Sequence, residues 1–162
     1  MGADRPILAV DVDGVVCPFG EDVDAGGVAF RHELVDGMMR CVSLGAGDSL
    51  LRLSAHFDLL WASGWEERAG KWLNDILALP RMPHLRFGGA ARFGSAGWKL
   101  AALEDYACGR PLAWVDDCIE ARCRNWAEAR PEPTLLLSTE PSRGLERSHE
   151  EQLLRWGAAL RQ

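Results

Sequence analysis

The chain has 162 residues, 48% apolar and 26% charged, which is the size and balance of one soluble globular domain spanning residues 1–162. A chain of this length buries roughly 70% of its unfolded surface, so it needs no staple to hold a core. Its net charge of −6 argues against nonspecific coating of nucleic acid but leaves room for a local basic groove.

Short apolar runs alternate with amphipathic stretches, the pattern of an α/β fold. Ile7 to Val12 reads as a buried strand, and Gly14 lets the chain turn sharply after it. Residues 18–27 hold Pro18, three glycines and several acids, and read as a loop. Val28 to Val35 and Met38 to Leu44 flank Asp36-Gly37, which predicts a β-hairpin. Asp48 is a candidate cap for a helix to about Ser54, and Phe57 to Ala62 reads as a second buried strand. Glu66 to Leu79 predicts a helix with Trp72, Leu73, Ile76 and Leu77 on one face, ended by Pro80 and Pro83. His84 to Phe87 reads as a short third strand, followed by a glycine-rich loop. Trp98 to Ala107 predicts a helix that stops at Gly109, and Leu112 to Val115 a fourth strand. A helix over Ile119 to Ala129, a fifth strand over Thr134 to Leu137 and a last helix from near Leu145 complete the chain. That last helix carries Leu153, Trp156 and Leu160 at helical spacing. Strands separated by helices require crossovers and hence a parallel sheet, whose ligands bind beyond the carboxyl ends of the strands.

The cysteines at 17, 41, 108, 118 and 123 are odd in number and form no Cys-x-x-Cys pair, so they read as reduced thiols of a cytoplasmic protein. Cys118 and Cys123 lack the companion residues of a zinc site. Ile7 to Val10 is too short for a signal peptide, and Pro6 stands where a myristoylation signal wants Ser or Thr. No run approaches the ~20 apolar residues of a membrane span.

Just after the strands stand Asp11 and Asp13 in AVDVDGVV, Ser63 in LLWASGWE, and Asp116 and Asp117 in AWVDDC, while Lys99 in GWKL opens the third helix. Gathering four carboxylates on one sheet edge sets like charges together, an arrangement that a divalent cation relieves. Hard oxygen ligands suit magnesium. Each piece has an ordinary alternative. Asp11 and Asp13 can cap a turn, and Ser63 can start a helix. Asp116 and Asp117 can be helix-start acids, and Lys99 a solvated surface lysine.

Taken together and in order, these pieces resemble the four motifs of the haloacid dehalogenase (HAD) superfamily. Asp-x-Asp-Gly-Val matches the first, Ser63 the second, Lys99 the third and the Asp116-Asp117 pair the fourth. More narrowly, WASGWEERA, RPLAWVDD and the ending LLRW resemble the compact HAD domains of "Swiss Army Knife" RNA repair proteins. The resemblance implies an α/β, Rossmann-like parallel sheet of about five strands with helices on both faces, a β-hairpin flap and no large cap. It implies Asp11 as the nucleophile that accepts phosphate and Asp13 as general acid and base. Asp11, the backbone carbonyl of Asp13, and one or both of Asp116 and Asp117 would hold Mg²⁺. Ser63, the amide of Gly64 and Lys99 would bind the phosphate. The family's true dehalogenases lack the second aspartate, so Asp13 counts against carbon–halogen chemistry here.

In that family, cap insertions select the substrate. Neither insertion point in this chain leaves room for a cap domain, which implies an open site that suits bulky phosphorylated substrates such as nucleic-acid ends. Residues 81–99 carry Arg81, Arg86, Arg92 and Lys99 with no acid, a local positive patch suited to a nucleic-acid backbone or else a solvated loop. Trp65 and Trp98 flank two motifs and are candidates either for stacking a base or for packing. His32, on the hairpin, is a further candidate substrate contact. The alternatives to an enzyme for bulky substrates are a phosphatase for a nucleotide or sugar phosphate, and a domain that binds metal and phosphate without turnover.

Overall fold

A computed structural model describes residues 5–23 and 29–162. The second half of the expected 18–27 loop and the expected strand start at Val28 lie outside the described residues.

Four parallel strands form one sheet: β1 (Ile7–Val10), β4 (Asp58–Trp61), β5 (Leu112–Asp116) and β6 (Thr134–Ser138), in the order β4-β1-β5-β6. A second, antiparallel sheet is the hairpin of β2 (Phe30–Val35) and β3 (Met38–Ser43). The helices are α1 (Leu44–Leu53), α2 (Glu67–Ile76), α3 (Leu100–Ala107), α4 (Ala121–Ala129) and α5 (Arg147–Ala159).

Strand alternation divides the core in two. Leu8, Val10, Leu59, Trp61, Ala113 and Val115 belong to one apolar cluster, with side chains of α1, α2 and α5. Ile7, Ala9, Leu60, Leu112 and Trp114 belong to the other, with side chains of α3 and α4. Successive residues of a strand point to opposite faces, so helices cover both sides of the sheet. The sheet is therefore buried on both faces, which is why its strands read as continuous apolar runs. Among the described residues no helix is long and apolar enough to cross a membrane.

The chain passes from β1 to β4 on one side, then returns across β1 to β5 on the other. That reversal opens a crevice between the carboxyl ends of β1 and β5, where open parallel sheets take ligands.

Three expectations are corrected. The sheet has four strands, not five, because His84 to Phe87 makes only an isolated bridge from His84 to Trp61. Trp61 donates to the Pro83 carbonyl and Leu85 to the Trp61 carbonyl, and then Phe87 donates to the Glu66 carboxylate instead of continuing along β4. Pro83 has no N–H of its own to lengthen that ladder. Asp48 does not start α1. Ser43, the last residue of β3, caps it by accepting from the Ala46 amide at 3.1 Å, so the strand runs directly into the helix. The glycines at 45 and 47 hid this start from a propensity reading. A Cβ on Gly47 would stand 2.8 Å from Leu77 Cδ2, so the glycine is the condition for α1 to pack on that side chain. The expected helix from Trp98 begins as a 3-10 turn over Gly97–Lys99 before α3.

The hairpin is as expected. Asp36 and Gly37 form its two-residue turn, both with positive φ (49° and 77°), and Val35 pairs with Met38.

Candidate active site

Asp11 leaves the end of the central strand between two neighbours. The Asp11 amide donates to the Val115 carbonyl at 3.0 Å, and the Ala62 amide donates to the Val10 carbonyl at 2.8 Å. These bonds hold Asp11 at the crevice, with Ser63 following on one side and Asp116 on the other. Asp11 is 7% exposed, Asp116 1%, Ser63 2% and Lys99 2%. Buried charges at such levels require partners. Lys99 Nζ donates to Asp116 Oδ2 at 2.6 Å and lies 3.1 Å from Asp11 Oδ1. The ammonium therefore bridges the carboxylates that end β1 and β5.

Local structure aims Lys99 inward. Glu120 Oε1 accepts from the Ser95 hydroxyl at 2.8 Å and from the Gly97 amide at 3.2 Å, which pins the 3-10 turn. Lys99 follows two residues later. The surface-lysine reading is thereby overturned, and Lys99 adds no charge to the basic loop that precedes it.

Asp116 Oδ1 accepts from the Cys118 amide at 2.9 Å, and Asp11 Oδ1 from the Val12 amide at 2.8 Å. So each acid does cap its own turn, but its remaining capacity is turned to the shared ammonium. Burial pushes the Asp11 carboxyl up to about 8; the Lys99 ammonium opposes that rise, and the Asp116 charge adds to it. Burial disfavours the Lys99 ammonium, but the Asp11 and Asp116 charges outweigh this and raise its pKa. Asp117 is raised by burial and by Asp116.

Gly14 has φ +76°, and a Cβ there would stand 2.5 Å from the Asp117 carboxyl carbon. The glycine is needed both for the turn and to let Asp117 lie over the first loop. Thr139, at the end of β6, ties the same two loops. Its hydroxyl donates to the Gly14 carbonyl at 2.7 Å, and its amide donates to the Asp116 carbonyl at 3.2 Å.

Asp13 is half-exposed. Its Oδ2 accepts from Trp65 Nε1 at 2.9 Å and its Oδ1 from Arg40 Nη1 at 3.3 Å. Ser63 Oγ accepts from the Trp65 amide at 3.2 Å, so Ser63 also shapes the turn into α2, as its ordinary alternative holds. Gly64 faces the 88–98 loop. A Cβ on it would lie 3.6 Å from Ala91 Cβ and 3.7 Å from the Trp98 ring.

Among the described residues, Asp116, Asp117 and Cys118 have side-chain atoms within 4.8 Å of one another, close enough to share one metal ion. Asp11 and Asp13 stand outside that group. The Cys118 thiol is pushed up to about 12, chiefly by burial and then by Asp117. The other two donors of the group are carboxylate oxygens. Asp11, Asp116 and Asp117 set three carboxylates against the single ammonium of Lys99, a charge and donor set that fits a hard divalent cation.

The other candidates divide. Trp98 packs edge-on against Phe87 at 4.6 Å, and its Nε1 donates to the Ser95 and Arg92 carbonyls, so its place is structural. Arg86 lies 4.0 Å from Glu67 and Arg92 Nη1 donates to the Ala90 and Ala91 carbonyls. Arg81 and Arg86 line an open groove with Met82, Pro83 and His84 that none of the buried acids reaches. His32 pairs across the hairpin with Cys41, on the face opposite to the Glu33 and Arg40 pair. It is therefore turned from Asp13.

Two site residues escaped the sequence reading. Thr139 stands after a strand like the others, which was the available signal, but a lone Thr matches no motif. Arg40 sits 27 residues from its partner in sequence, and only the hairpin geometry brings it near. No protein-family model matches this chain, and no curated protein matches it.

Proposed function

We propose that this chain is a magnesium-dependent phosphomonoester hydrolase of the haloacid dehalogenase type, working through an aspartyl-phosphate on Asp11. The supporting observation is the Lys99 ammonium held between Asp11 and Asp116 at the crevice of a parallel sheet. A carboxylate meant to attack an anionic phosphate needs positive charge beside it, and Lys99 lies 3.1 Å away.

In the first step an Asp11 oxygen forms a bond to phosphorus, the bond to the leaving oxygen breaks, and that oxygen takes the proton of the Asp13 carboxyl. In the second step Asp13 accepts a proton from water, the water oxygen bonds to phosphorus, and Asp11 departs as a carboxylate with inorganic phosphate released. Asp11, the Asp13 carbonyl and one or both of Asp116 and Asp117 would hold magnesium, which when bound would supply charge to offset the phosphoryl oxygens. The Ser63 hydroxyl and the Gly64 amide orient the phosphoryl group, and Lys99 neutralises nucleophile and phosphate together. Burial works against ionisation of Asp11 and the Lys99 ammonium opposes that effect, so positive charge beside Asp11 favours the form that attacks.

The substrates favoured are bulky ones, nucleic-acid ends among them. The β2–β3 hairpin is the element that reaches Asp13 from above, and the 88–98 loop at Gly64 carries the exposed Arg92 and Phe93. The test is turnover of an aryl phosphate with magnesium and with chelator, in wild type and Asp11→Asn. Activity retained by Asp11→Asn refutes the reading. Oligonucleotide 3′- and 5′-phosphates compared with free nucleotides then decide the substrate class.

A further inference from the structure

Asp13 is exposed enough to swing freely, yet both of its carboxylate oxygens are engaged. Trp65 Nε1 donates to Oδ2 at 2.9 Å and Arg40 Nη1 to Oδ1 at 3.3 Å. The two donors also hold each other, with the Arg40 guanidinium 5.2 Å from the centre of the Trp65 ring. Trp65 is buried, so its indole is a fixed donor. Arg40 comes from the hairpin. Directly across the ladder stands Glu33, the nearest acid by register, but Glu33 pairs with Arg31 and Arg40 turns to Asp13 instead. Its Nε is buried and has no hydrogen-bond partner, its Nη2 donates to Met38 Sδ at 3.9 Å on the same strand, and Nη1 is the atom given to Asp13. The hairpin is anchored for this. Val42 is buried in the core, the Ser43 amide donates to the Val16 carbonyl at 2.9 Å, and Asp36 at the turn meets Arg68 of α2 at 3.1 Å.

We propose that Trp65 and Arg40 are positioning residues that aim Asp13 at the leaving group. The inference rests on the phosphohydrolase reading. Trp65 fixes one oxygen from the protein side. Arg40 reaches the other from the hairpin, which thereby joins the catalytic apparatus and does more than cover it. The proton that leaves Asp13 goes to the departing ester oxygen, so a misaimed Asp13 harms substrates in proportion to how badly their leaving group needs that proton.

The experiment compares an aryl phosphate with a good leaving group and an alkyl phosphate with a poor one, in wild type, Arg40→Gln, Arg40→Lys and Trp65→Phe. General acid–base catalysis contributes ~10²–10⁴-fold in rate, so partial misalignment is expected to lower kcat on the alkyl phosphate ~10-fold or more and on the aryl phosphate by less than ~3-fold. Arg40→Lys recovers part of the loss. Equal losses on both substrates overturn the proposal. A second measurement does not need turnover. The Trp65 indole N–H resonance, identified by its absence in Trp65→Phe, is expected to move in Asp13→Ala and in Arg40→Gln. A resonance unmoved in Asp13→Ala overturns the clamp itself, whereas absence of wild-type turnover with the resonance still shifting overturns the phosphohydrolase reading, and with it the aiming role, but leaves the contacts to Asp13 standing.

Discussion

Replacing Lys99 by Met removes the one cation from a buried pair of carboxylates and keeps the unbranched apolar stem. The two contacts, 2.6 Å to Asp116 and 3.1 Å to Asp11, are each worth roughly 5–6 kcal/mol at an effective dielectric of 20 before desolvation is charged against them. Burial of the ammonium cancels much of that, but the variant leaves both acids buried and unpaired, a situation that costs about 3–5 kcal/mol. Asp11 already has its pKa raised to about 8 by burial with the lysine present, and loss of the lysine moves it further up. A carboxyl whose folded pKa exceeds its unfolded value stabilises the fold below the unfolded value of 3.8 and loses that contribution as pH rises through the folded value. The deficit of Lys99→Met is therefore smallest in acid and grows toward alkaline pH. Urea unfolding in the presence of chelator measures it, with a midpoint lowered by about 1–5 M if the slope is about 1–3 kcal/mol per molar. A deficit under about 1 kcal/mol, or one that is the same at pH 5 and pH 9, refutes the assignment of Lys99 as the counterion of these acids.

Two further outcomes follow from other contacts of the fold. Gly14→Ala forces a Cβ to 2.5 Å from the Asp117 carboxyl carbon at a φ of +76°, with a backbone cost of about 1–2 kcal/mol, so Asp117 must shift; titration calorimetry is expected to show magnesium affinity lowered ~10-fold, and unchanged affinity contradicts a role for Asp117 at the cation. Glu150→Gln breaks the tie between α5 and α1, where Glu150 accepts from Ser49 Oγ at 2.7 Å and from Arg52 Nε at 2.7 Å; the cost at pH 7 is about 1–2 kcal/mol because Arg52 is half exposed and screened. The Arg52 hydrogen bond lowers the Glu150 pKa, against burial, so its contribution is present above the ordinary value of 4.5 and disappears as pH falls through the folded value; a wild-type advantage that persists at pH 2 contradicts this.

The strands were legible because a sheet buried on both faces writes itself as unbroken apolar runs, and Ile7, Leu60 and Trp114 leave no other place to put them. Helix starts were less legible. Reading α1 from Asp48 follows the rule that glycine weakens a helix, but Gly47 is there because Leu77 needs the space, and that requirement belongs to a residue 30 positions away. The false fifth strand has a similar origin. Residues 84–87 have the composition of a strand, while what ends the pairing is the Glu66 carboxylate taking the Phe87 amide.

The acids were legible by position, since residues at or just after the end of a parallel strand are delivered to the same edge, whereas Lys99 opens a helix and was singled out by its place in the order of the motifs. What position does not convey is state. Asp11 and Lys99 become a coupled pair only through burial and a 3.1 Å approach, which depend on Glu120 pinning a turn that begins at Gly97. Arg40 shows the same limit more sharply. Its register partner is Glu33, so a reading along the ladder joins those two. The structure sends Arg40 across the face of Trp65 to Asp13, because the hairpin is fastened at its base and its turn and presents that face to the crevice. A motif names the group that reacts. The groups that aim it are drawn from whichever elements the fold leans against it, and these carry no mark in the chain.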